Sequence, residues 1–213
     1  MRNIPVVTKN LLVINVLVFI ATYVLSGSNI DLNELLGLHF FLASDFHVWQ
    51  LVSYMFMHGG FTHILMNMFM LWMFGMVVEN VWGPRKFLFY YLVCGIGAGL
   101  CQELAQYAAY VVEGLAQYDS VRMGGSIVPM SVYLNMMTTV GASGAIYAVL
   151  LAFGMLFPEE RMFIIPIPIP IKAKWIVMGS VAVELFSAIG TSNDGVAHLA
   201  HLGGMLFGFL LIR

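Results

Sequence analysis

The sequence predicts an all-α fold: a polytopic membrane protein built as a bundle of six transmembrane helices. Three observations carry that prediction. Of 213 residues, 61% are hydrophobic and only 9% are charged, against roughly 25% charged in an ordinary soluble domain. The apolar residues fall in separate runs, each near the roughly 20 residues that cross about 30 Å of hydrocarbon. The few cations are distributed unevenly between the two sides that those runs define.

The first span is "LLVINVLVFIATYVLS" (11–26), preceded by "MRNIPVVTKN", which lacks a small-residue cleavage site and is therefore not read as a removable signal. Residues 27–50 follow, a connection whose bulky apolar side chains suit the membrane interface. The second span covers 56–81 and is closed by the helix breakers Gly83 and Pro84. The third covers 87–109 and holds both cysteines, Cys94 and Cys101, which suit small buried hydrophobes rather than a disulfide staple. A mixed stretch (110–135) is expected to be partly helical near the surface. The fourth span occupies 140–157. "MFIIPIPIPIKAK" (162–174) alternates Ile and Pro, which forbids a regular helix and favours an extended connector. The fifth and sixth spans cover 175–190 and 196–212.

Orientation follows from the cations. With six spans and a cytoplasmic N-terminus, Arg2, Lys9, Arg85, Lys86, Arg161, Lys172, Lys174 and Arg213 lie on the cytoplasmic side and only Arg122 outside, so eight of nine obey the positive-inside bias. The same arrangement puts all six histidines in the outer half of the membrane or in outer loops. No basic run extends beyond Arg85-Lys86, which argues against nucleic acid as a partner; the surroundings are membrane lipid.

Depth can be counted from each cytoplasmic boundary at about 1.5 Å per residue. Asn67 then lies about 20 Å above Asn80, Ser143 about 21 Å above Phe157, and His201 about 18 Å above Arg213. Three polar side chains on three helices share one level, roughly 10 Å below the outer edge of the hydrocarbon. His63 sits one turn above Asn67 on the same face.

Taken alone, Ser143 in "TVGASGAIY" is only a small hydroxyl that can bond its own helix backbone. In company with the other three it can perform acyl transfer. His201 is the base that can activate it, and His63, Asn67 and the Ser143 backbone N–H can donate to a developing oxyanion. Gly141 and Gly144 leave room for a substrate backbone beside Ser143, while Gly204 and Gly208 give the last helix a face for close contact. No carboxylate is found at this level, so a Ser143–His201 dyad is expected rather than a triad. No strand is expected before Ser143, which distinguishes it from the nucleophile elbow of soluble hydrolases.

"HGGFTHILMN" (58–67), "GASG" (141–144) before Tyr147, and "AHLGGMLFG" (200–208) together resemble the rhomboid family of intramembrane serine proteases, in the bacterial six-helix type. The resemblance spans essentially the whole chain, 1–213, as a single rhomboid-like membrane domain. It implies Ser143 as nucleophile, His201 as general base, His63 and Asn67 as oxyanion donors, Tyr147 stacked on the base, and Gly204 and Gly208 as close-packing glycines. His58 matches a family histidine with a structural role. It further implies transmembrane protein substrates, no cofactor, and a place in the bacterial inner membrane with the site open to the outer side. One departure stands out: the family's Trp-Arg pair before the second helix, whose arginine anchors that loop, is here Trp49-Gln50.

Other readings are weaker. His198 and His201, three apart, could suggest a metal pair, but no HExxH occurs and no metal is expected; His198 is expected to line the mouth above the site. Glu184, near the middle of the fifth span, implies a lining or protonated role, and a transport function would require a second carboxylate. A catalytically silent relative that escorts membrane segments would be expected to lack the serine or the histidine, and both are present.

Overall fold

The computed structural model describes residues 3–164, 167–190 and 196–212. Arg2 and Arg213, used in the cation count, lie outside the described residues, as do 165–166 of the Ile-Pro connector. Among the described residues the long helices are α1 (Val6–Ser26), α2 (Phe61–Trp82), α3 (Pro84–Val112), α4 (Ser143–Leu156), α5 (Ala173–Ile189) and α6 (His198–Ile212). Three of them, α1 to α3, with 21, 22 and 29 residues, are long and apolar enough to cross a membrane. The other three have 14, 17 and 15 residues, short of the roughly 20 that a full crossing takes. The expectation of six membrane-length helices is corrected to three, with three shorter ones beside them.

The fold is mostly rather than purely helical. Short strands pair antiparallel: β1 (Leu38–His39) with β4 (Thr138–Thr139), β2 (Ser120–Met123) with β3 (Ser126–Pro129), and β5 (Arg161–Ile164) with β6 (Ile167–Lys172). The described parts of the Ile-Pro segment, 162–164 and 167–172, are extended, as their composition requires, and they pair with each other within β5 and β6 rather than forming a free connector. At its base, Lys172 and Lys174 flank Glu159 and hold its carboxyl down at about 2. The 110–135 stretch contains the end of α3, a 3-10 turn at Leu115–Gln117, the β2–β3 hairpin and a short α-helix, Met130–Asn135.

Helix α1 starts five residues earlier than the apolar run suggests because one adjacent and one distant group support it. Pro5 occupies the N-cap position with φ −58°, and Glu79 of α2 accepts the backbone N–H groups of Val7 and Thr8 at 2.9 and 2.7 Å and the Thr8 hydroxyl at 2.7 Å. First-turn N–H groups have no partner inside a helix, so a buried carboxylate there satisfies real donors. Helix α2 contains a π-helical turn at Leu71–Gly75. Its extra residue per turn separates the phase of the two halves, so Asn67 serves the site while Glu79 serves α1.

Helix α4 lies at the centre of the bundle and is buried on most of its faces. Against it pack α3 and α6, and α6 is also in long contact with α3. Small residues permit this closeness: a Cβ on Gly203 would collide with Cys101, and one on Gly204 with the backbone of Gly144. The two cysteines are free. The Trp49-Gln50 departure is resolved by Gln50 itself, which is 1% exposed. Its Oε1 accepts from the backbone N–H of His39 and His47, and its Nε2 donates to the carbonyls of Leu35 and Asp45. A neutral amide anchors the loop where an arginine was expected.

Candidate active site

Ser143 is the first residue of α4, not a residue within it. The chain reaches it through β4, so a short strand does precede the serine, contrary to expectation, and then through Gly141 at φ +130°. Only glycine adopts that backbone conformation readily. The Gly141 N–H donates to the Tyr54 carbonyl at 2.9 Å, which fixes the turn. The consequence is chemical: at a helix start the N–H groups of Ser143 and its successors have no carbonyl above them and are left to the cavity side, at the positive end of the helix.

On α6, His201 presents Nε2 to the Ser143 hydroxyl at 2.7 Å. The two side chains meet because Gly204, one turn on, lets α6 lie directly against Gly144. Gly144 thus serves the helix crossing as well as lining the cavity beside Ser143; Gly208 packs closely against Tyr90 and Ala148. Tyr147, one turn beyond Ser143, stacks on the His201 ring with centroids 4.2 Å apart and planes 9° from parallel. An imidazole nitrogen at this distance can take the hydroxyl proton, and the stacked ring restricts its rotation.

His63 and Asn67 line the same cavity, of about 1020 Å³, whose lining includes Ser143, Tyr147, Gly141 and His201. The Gly59 N–H reaches His63 Nδ1 at 3.4 Å, which assigns Nδ1 as acceptor and leaves the proton on Nε2. That Nε2 faces Gly141, where an added Cβ would stand 2.8 Å from it. The Asn67 amide donates one N–H to the His63 carbonyl at 3.1 Å, keeping a second N–H in reserve. His58 is buried and meets His63 edge-on at 5.0 Å, beside the Phe56 backbone.

Two sequence expectations are overturned on the far side of His201. A carboxylate is present: Glu184 of α5, 4% exposed, brings Oε2 to 3.0 Å from His201 Nδ1 and to 2.6 Å from His198 Nδ1. His198 does not line the cavity mouth but turns to this carboxylate. The depth count would have found Glu184 had it been applied to the fifth span. From Ala173 to Glu184 the rise is about 16 Å, within a side chain's reach of the His201 level. Glu184, His198 and His201 offer ligand atoms within 4.8 Å of one another. Separations of 2.6 and 3.0 Å are shorter, however, than the roughly 3.3 Å between neighbouring ligands on tetrahedral zinc.

The family described as the Rhomboid domain matches residues 45–213. Rhomboid protease AarA of Providencia stuartii is 28% identical over 166 residues, 76% of this chain and 54% of that protein. Rhomboid-like protein 16, chloroplastic, of Arabidopsis thaliana is 27% identical over 203 residues, 94% of this chain and 59% of that protein. The human presenilin-associated rhomboid-like protein, mitochondrial, is 30% identical over 158 residues, 72% of this chain and 34% of that protein. The chain spans between about a third and three fifths of these relatives' lengths.

Proposed function

The chain belongs to the rhomboid family, and from that premise we propose that it is an intramembrane serine endopeptidase that hydrolyses a peptide bond in or near the membrane segment of another protein. One observation carries the reading: the Ser143 hydroxyl lies 2.7 Å from His201 Nε2 in a cavity that His63 and Asn67 share. His201 removes the hydroxyl proton as Ser143 Oγ attacks the carbonyl carbon. The oxyanion is met by the Ser143 N–H at the helix start, the Nε2–H of His63 and the spare N–H of Asn67. His201 then returns its proton to the leaving amine, and a water from the cavity releases the acyl group.

The proposal includes six crossings with the N-terminus in the cytoplasm, in a bacterial inner membrane, over one domain from 1 to 213. The shortness of α4 supports it: 14 helical residues rise about 21 Å, and the non-helical 138–142 stretch completes the depth. Irregular backbone is tolerated there because it is buried or lines a wet cavity. Substrates enter from the side between α2 and α5, since among the described residues α5 packs extensively on α4 and α6 but not on α2. They are transmembrane proteins whose helices unwind locally, because a regular helix hides its carbonyls from attack.

The test is to incubate the full chain, in detergent and in liposomes, with a panel of single-pass segments, sequence new N-termini, and follow labelling by a fluorophosphonate. Cleavage and labelling at Ser143, both abolished in Ser143→Ala and His201→Ala, are expected. Cleavage by Ser143→Ala would end the serine mechanism. A wild-type protein that neither cuts nor labels, yet retains membrane segments, would instead be an escort of the same fold.

A further inference from the structure

A carboxylate at the buried edge of His201 has no place in a two-residue mechanism. Glu184 is the most deeply buried acid of α5 and lies in a helix core where an unpaired charge is costly. Three polar groups of the neighbouring residues reach it. His201 Nδ1 is 3.0 Å away, His198 Nδ1 2.6 Å away, and the Tyr147 hydroxyl within hydrogen-bonding reach. Among the described residues the buried His201 Nδ1 has no acceptor other than Glu184, which it meets at 3.0 Å without a well-aligned hydrogen bond.

We propose, building on the protease reading above, that Glu184 is a positioning residue for His201, so that the reacting group is Ser143–His201–Glu184 assembled from α4, α6 and α5. Nε2 can accept the Ser143 proton only if the neutral ring carries its own proton on Nδ1, and an acceptor at Nδ1 selects that tautomer. When the Ser143 proton moves to Nε2 the ring becomes an imidazolium, and the Glu184 carboxylate lies against its positive charge without taking a proton itself. Tyr147 holds the face of the ring and touches the same carboxylate, while His198 supplies a second donor that keeps the carboxylate turned toward His201. The ring is therefore fixed at its face and at its edge. No part of this requires a metal or an oxidant.

The test compares Glu184→Gln, Glu184→Asp and Glu184→Ala with wild type, with kcat expressed per site titrated by fluorophosphonate. Glu184→Gln keeps the shape and offers Nδ1 an amide in place of a charge. Its kcat should fall by at least about 10²-fold, by analogy with amide replacement of the third residue in soluble triads, while KM stays within about threefold. Glu184→Asp should recover part of the loss. In a His201→Ala background the Gln substitution should have no further effect. A kcat for Glu184→Gln within threefold of wild type, or losses in all three variants that follow Tm alone, would overturn the proposal. Wild-type cleavage abolished by Ser143→Ala in the same experiment keeps that failure distinct from failure of the protease reading. Should the variants not fold, ¹⁵N spectra of histidine-labelled wild type decide: the neutral His201 ring protonated on Nδ1 is expected, and one protonated on Nε2 refutes the proposal.

Discussion

Replacing Gly204 by alanine should disable the site from the far side of a helix crossing. A Cβ built at Gly204 lies 2.7 Å from the Gly144 carbonyl carbon, with the oxygen nearer still, whereas ordinary contact begins at 3.4 Å. Both obstacles are backbone, so no side chain can swing aside, and α6 must back away from α4 by at least about 0.7 Å. His201 lies three residues before Gly204 on the same face and moves with it. The Ser143–His201 separation of 2.7 Å then opens to about 3.4 Å or more, past the range of a good hydrogen bond. Misplacement of this order costs about 10–10²-fold in rate, and the overpacking costs about 1–3 kcal/mol, or roughly 2–12 °C in Tm for a chain of this size. The assay pairs cleavage per titrated site with thermal unfolding in detergent. Gly179→Ala on α5 is the control, since a Cβ there meets nothing within 4 Å and should leave Tm equal or slightly raised. A Gly204→Ala protein with wild-type turnover and Tm would refute the claim that this backbone contact sets the catalytic distance.

Asn67→Ala should lower turnover by about 10²–10³-fold and substrate binding far less; equal losses in both would remove Asn67 from the oxyanion site. Glu79→Ala strips Val7 and Thr8 of their acceptor. It should lower stability by roughly 2–3 kcal/mol, as for hydrogen bonds to a charged group, while turnover per folded molecule stays unchanged, read by unfolding and active-site titration together. Single cysteines at Ser44, Asp119 and Glu160, in a background lacking Cys94 and Cys101, test the orientation. The first two should react with an impermeant thiol reagent on spheroplasts and the third only after lysis; the reverse pattern would invert the topology.

The sequence by itself determined the membrane character, the approximate place of each helix, and the common level along their helices that lets Ser143, His201, His63 and Asn67 line one cavity, because height along a helix is linear in residue number. It also carried enough of the family's motifs for the Rhomboid domain to match residues 45–213. What it left open is rotation about each helix axis and identity of the neighbour, which only packing decides. Thus Gly144 proved to be a helix contact as well as part of the cavity lining, and His198 faced Glu184. Gln50 took an anchoring role through four backbone partners that no local pattern announces. The start of α4 at Ser143 was hidden for a related reason. Residues 140–142 are as apolar as a helix, and the turn there depends on Gly141 at φ +130° and on a bond to Tyr54 far away in sequence. Glu184 shows both halves together: its height along α5 can be counted from the sequence, but that it lies 3.0 Å from His201 follows from how α5 packs on α6.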